Sequence, residues 1–127
     1  MSEFTTTELE AAQKAILSQI RKNEKISGTL SQKRPPRASQ MAMVSQNLKV
    51  FYIASSMIAK ALNEDHSNNH SKEELEKALQ ALPLFIQKIE KVRPKFREGT
   101  SQHTLAIRRI EAFQIASALI EKELCSY

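Results

Sequence analysis

The sequence predicts an all-α protein: an antiparallel up-down-up-down four-helix bundle built from two duplicated helical hairpins related by a pseudo-two-fold axis. Three observations predict it. Residues 9–26 align with 75–92 at an offset of 66 with eight of 18 positions identical, and 39–62 align with 101–124 at an offset of 62 with nine of 24 identical. Self-similarity of this kind marks a repeated supersecondary unit. Apolar residues in each segment recur at alternating steps of three and four, which hold one face of a 3.6-residue helix towards a core and which a strand of period two cannot match. Two Gly and four Pro in 127 residues supply too few turns for an all-β chain.

The chain is expected to form a single domain over residues 1–127, with hairpin repeat one at about 5–63, a linker at 64–71 and hairpin repeat two at about 72–125. A chain of this length buries a core without disulfides or metal. A second arrangement, two stacked hairpins resembling units of a helical solenoid, would leave an apolar groove.

The first helix spans the segment from Leu9 to Ile26. Thr7 with Glu10 forms a candidate capping box, and Gly28 is expected to close the helix, where positive φ suits glycine. Gln19 and Asn23 align with Phe85 and Ile89 of the other copy. They are read as exposed, because a buried amide needs every hydrogen bond satisfied.

Pro35 and Pro36 forbid helix before about Arg37. The second helix then carries the stripe Val44, Leu48, Phe51, Ser55, Ile58 and Leu62, preceded by Met41. Ser71 with Glu74 is a second capping box and opens the third helix. Its stripe runs Leu75, Ala78, Leu82, Phe85, Ile89, Val92 and Phe96. Pro83 lies inside that pattern, but the stripe stays in phase across it, so a kink rather than a break is expected.

Thr100 or Ser101 caps the fourth helix after Gly99. Its stripe is Ala106, Ile110, Phe113, Ser117, Ile120 and Leu124, widened by a second row of Leu105, Ala112, Ala116 and Leu119. Ser55 and Ser117 are small residues in bulky stripes, expected to admit close helix approach and to bond back to a carbonyl one turn earlier.

Charge divides along this bundle. Residues 20–37 sum to +5 and residues 88–111 to +4, against −4 for the remainder and +5 overall. Up-down-up-down topology brings both basic stretches to one end. Lysine and arginine at helix C-termini partly serve the helix dipole. That explanation does not reach Lys33, Arg34 and Arg37 in a Pro-rich loop, or Arg108 and Arg109 in the first half of the fourth helix. With Arg93, Lys95 and Arg97, these residues make a candidate partner-binding surface for an anionic macromolecule.

Catalytic and metal readings find little support. His66 and His70 are four apart, but Ser and Asn around them mark a connector, and no HExxH pattern follows. His103 near Ser101 and Thr104 lacks an orienting acid and is read as a half-buried packing residue. Cys125 is the only cysteine, so no internal disulfide forms. The chain shows no leader-like segment and no apolar run long enough to span a bilayer, and a cytoplasmic protein without cofactors or metal is expected.

The functional expectation is a non-enzymatic interaction or regulatory protein whose basic bundle end binds an acidic protein or membrane-associated partner. The alternative is a nucleic-acid-associated protein making phosphate contacts through the same surface. No helix-turn-helix, zinc-finger or RNP-like motif supports that alternative.

Overall fold

A computed structural model describes residues 4–32, 38–62 and 70–125. Nearly all of them lie in four helices: α1 (Thr6–Ser31), α2 (Ala38–Ala61), α3 (Lys72–Val92) and α4 (Ser101–Leu124). A single 3-10 turn over Arg93–Lys95 follows α3. The expected all-α four-helix fold is the observed one.

Side-chain links set the helix directions. Gln13 Nε2 donates to the Ser55 carbonyl at 3.1 Å, joining the start of α1 to the end of α2. Lys60 Nζ lies 3.0 Å from a Glu123 carboxylate oxygen, so α2 and α4 end side by side. These two helices touch across the short diagonal of the bundle, whereas α1 and α3 stay apart on the long one. Around the perimeter α1 packs closely on α2 and on α4, and α2 and α3 meet least.

The helix starts follow local chemistry. Ser71 Oγ accepts from the Glu74 N–H at 3.1 Å, and the Ser71 N–H donates to Glu74 Oε1 at 3.0 Å. The box on α1 is two residues earlier than Thr7–Glu10. Thr5 Oγ1 accepts from the Glu8 N–H at 3.1 Å, and the Thr5 N–H donates back to Glu8 Oε1 at 3.0 Å. Thr5 and Glu8 are the positions aligned with Ser71 and Glu74 at the offset of 66.

Gly28 does not end α1, which continues to Ser31. Glycine permits a left-handed residue but does not impose one, and burial of Leu30 rewards the extra turn. The aligned position in the second half is Pro94, and there the α-helix stops at Val92. Helix α3 runs unbroken through exposed Pro83, which leaves the Leu79 carbonyl one turn earlier without its N–H donor.

One continuous core draws on all four helices. Ile16, Ile58, Leu75, Leu82 and Ile120 are fully buried, each contributing about 1.5–3 kcal/mol of apolar burial. At its centre Phe51 stacks on Phe113 with centroids 5.7 Å apart, and Phe85 closes the triangle at 5.0 and 5.8 Å.

Four positions on the stripes and second row depart from expectation. Val92 is 42% exposed and Leu105 44%. Val92 is the last residue of α3, whereas Leu105 lies on the second row of α4 and turns outward beside buried Ala106. Phe96 falls beyond the end of α3 and is half-buried in the following connection. Ser117 fills the expected tight position, but its buried Oγ has no hydrogen-bond partner, so the bond to the preceding turn is not made.

Candidate functional site

Antiparallel packing brings the C-terminal ends of α1 and α3 and the N-terminal ends of α2 and α4 to one end of the bundle. Of the eight basic residues predicted to form a binding surface there, Lys33, Arg34 and Arg37 lie outside the described residues. The other five are described.

Arg93, Lys95 and Arg97 occupy the α3–α4 connection and are exposed. Its shape follows from its sequence. Pro94 tightens the chain into the 3-10 turn, in which the Phe96 N–H donates to the Arg93 carbonyl at 3.0 Å. Gly99 then turns the chain with φ +85°, a conformation that glycine adopts without steric cost. Thr100 locks the exit: its Oγ1 accepts from the His103 N–H at 3.3 Å and donates to the Arg97 carbonyl at 2.7 Å. His103 is half-buried as expected.

Arg108 is exposed on the following helix. None of Arg93, Lys95, Arg97 and Arg108 forms an ion pair with another described residue. Their charges therefore face solvent, where they attract and orient anions.

Arg109, next along α4, is less exposed than these four. It is half-buried against α1, and its Nη2 and Nε donate to the side-chain oxygen of Gln19, the former at 3.2 Å, with the amide oriented by this network. Burial pushes the guanidinium below its usual range, yet arginine keeps its charge in proteins. Gln19 and Asn23 are likewise half-buried rather than exposed. Asn23 Nδ2 donates to the Gln19 carbonyl at 2.8 Å. Each amide is tolerated at half-burial because it has a partner, Arg109 of α4 for Gln19 and the α1 backbone for Asn23.

Between the 3-10 turn and α4 lies a shallow depression of about 470 Å³, lined by Arg93, Pro94, Phe96, Glu98, His103 and Ile107. Phe96 gives this charged surface an apolar foothold. Periodicity alone places Phe96 on a helix stripe; Pro94, two residues before it, was the signal that the helix ends first.

A larger groove of about 1000 Å³ separates α2 from α3. Lys88 and Lys91, at its α3 C-terminal end, connect it to the basic end. No described helix is long and apolar enough to cross a membrane. No protein-family model, curated protein sequence or solved structure shows detectable similarity to this chain.

Proposed function

We propose that this chain is a non-enzymatic interaction protein that acts in the cytoplasm and captures an acidic protein, free or membrane-associated, through its basic bundle end. The observation that carries this reading is the set of exposed, unpaired charges on Arg93, Lys95, Arg97 and Arg108. Uncompensated like charge raises solubility and accelerates encounter with an anionic surface, and it contributes nothing to folding.

The test is capture of partners from native cells by the tagged chain, with and without nuclease. Each capture is repeated with Arg93, Lys95, Arg97 and Arg108 changed to Glu. A protein that survives nuclease and salt near 0.15 M, and whose association slows at least tenfold on charge reversal, supports the proposal. Loss of the bound material on nuclease treatment would replace it with the nucleic-acid reading. Association unchanged by reversal would reduce the basic end to a solvated face.

A further inference from the structure

We propose that the groove between α2 and α3 is a docking site for an amphipathic helix of the partner, one whose polar flanks are acidic. The inference rests on the protein-binding reading above and specifies how the partner is held.

The apolar part of the groove's lining comes from Val50 and Ile53 of α2 and from Ala78, Ala81, Leu84 and Phe85 of α3, with neutral amides such as Gln46 and Gln80 beside it. Leu84 is 57% exposed although it stands beside the aromatic core. Lys49 flanks this lining from α2, and Lys77, Lys88 and Lys91 from α3. The rim carboxylate Glu74 is already engaged with the backbone N–H of Ser71 in the capping box. Four lysines around this partly apolar lining complement a ligand with an apolar stripe between acidic flanks.

The geometry selects a helix. The groove follows α3 from Glu74 to Lys91 for roughly 26 Å and α2 from Gln46 to Ile53 for roughly 10 Å. Floor and walls come from two helices whose backbone groups are already hydrogen-bonded. An extended peptide lying there would bury N–H and C=O groups without partners, whereas a helix satisfies its own. A second copy docking through the same face would set its lysine rim against this one and be repelled. The trough is open to solvent and runs along the bundle, which suits a side-chain ridge better than a compact small molecule.

The test uses the full-length chain, isotopically labelled, titrated with a synthetic 18-residue peptide. The peptide carries Leu at positions spaced i, i+3, i+4 and i+7 and Glu on both flanks. Controls are a scrambled peptide of the same composition and a Lys-flanked version.

Expected results are backbone shift changes centred on Val50, Ile53, Ala81 and Leu84, induced peptide helicity, and at least tenfold weaker binding of both controls. Leu84→Ser should weaken binding severalfold without unfolding the chain, and reversal of Lys49, Lys88 and Lys91 to Glu should weaken it at least tenfold. Equal binding of the scrambled peptide, or shifts confined to residues 93–100, would overturn the groove assignment and leave the basic-end reading intact. Groove binding that persists after reversal of Arg93, Lys95, Arg97 and Arg108, with natural-partner association unchanged by that reversal, would uphold the groove and reject the basic-end reading. No binding of any peptide to a folded chain would overturn the proposal.

Discussion

The α1–α4 and α2–α3 interfaces are built from aligned positions, yet one is closed and the other open. At the α1–α4 seam Gln19 accepts from Arg109. The offsets of 66 and 62 place Phe85 and Asn47 at the matching positions of the α2–α3 pair, and both line the groove. Phe85 turns inward to the Phe51–Phe113 stack instead of bridging to α2 through a polar bond. Leu84, more than half exposed in the groove, aligns with Ser18 on α1. Similar stripes therefore do not guarantee similar packing. A few residues beside the stripe decide whether a seam closes.

Five expected outcomes would break or sharpen that contrast. The largest effect belongs to the centre that both interfaces share. Phe113→Ala should cost about 3–5 kcal/mol in urea unfolding, through lost burial and the cavity left between Phe51 and Phe85. A loss below about 1 kcal/mol would remove Phe113 from the core.

Next come the helix starts, which are chemically matched. Thr5→Ala and Ser71→Ala should each cost about 1 kcal/mol. Because α3 is buttressed by less of the bundle, Ser71→Ala should accelerate amide exchange along α3 more than Thr5→Ala does along α1; equal acceleration would mean that the open side is as well supported as the closed one. The same boxes predict a pH response. Hydrogen bonds from the cap backbone and hydroxyl hold Glu8 and Glu74 below the usual glutamate range. Their contribution is thus complete above the unfolded-state pKa and disappears as pH falls through the folded-state value. Unfolding measured from pH 6 downwards should show that loss, and Glu8→Gln with Glu74→Gln should flatten it.

The polar seam gives a smaller effect. A double-mutant cycle with Gln19→Ala and Arg109→Ala should return a coupling of about 0.5–1.5 kcal/mol, reduced by partial solvent exposure. The matching cycle with Asn47→Ala and Phe85→Ala should return a coupling near zero. Equal couplings would show that the two seams do not differ in the way described.

The smallest effect is Leu84→Ser, expected within about 0.5 kcal/mol because the side chain already meets water. A loss above about 1.5 kcal/mol would mean that the groove closes over Leu84 in solution.

Local information was sufficient for the four helices, the Ser71–Glu74 box, a cap at Thr100 or Ser101 after Gly99 and the central Phe51, Phe85 and Phe113. Each depends on residues a few positions apart, or on a periodicity that survives wherever the helix packs. The true α1 cap was also legible, since subtracting 66 from Ser71 and Glu74 gives Thr5 and Glu8. Of the candidate surface, Arg108 was readable as charge that the helix dipole does not explain, and Arg93, Lys95 and Arg97 as basic residues following the third helix.

Tertiary structure decided the rest. Arg109 and Arg108 are adjacent and equally basic in sequence, but a 100° step around α4 turns one towards α1 and leaves the other in water. Gln19 and Asn23 are polar on any scale, yet Gln19 finds its partner in Arg109 of α4, and Asn23 finds one in the Gln19 carbonyl of its own helix. The groove belongs wholly to this second class, because an apolar stripe states that a face wants cover, and only the placement of a neighbouring helix determines whether cover is given.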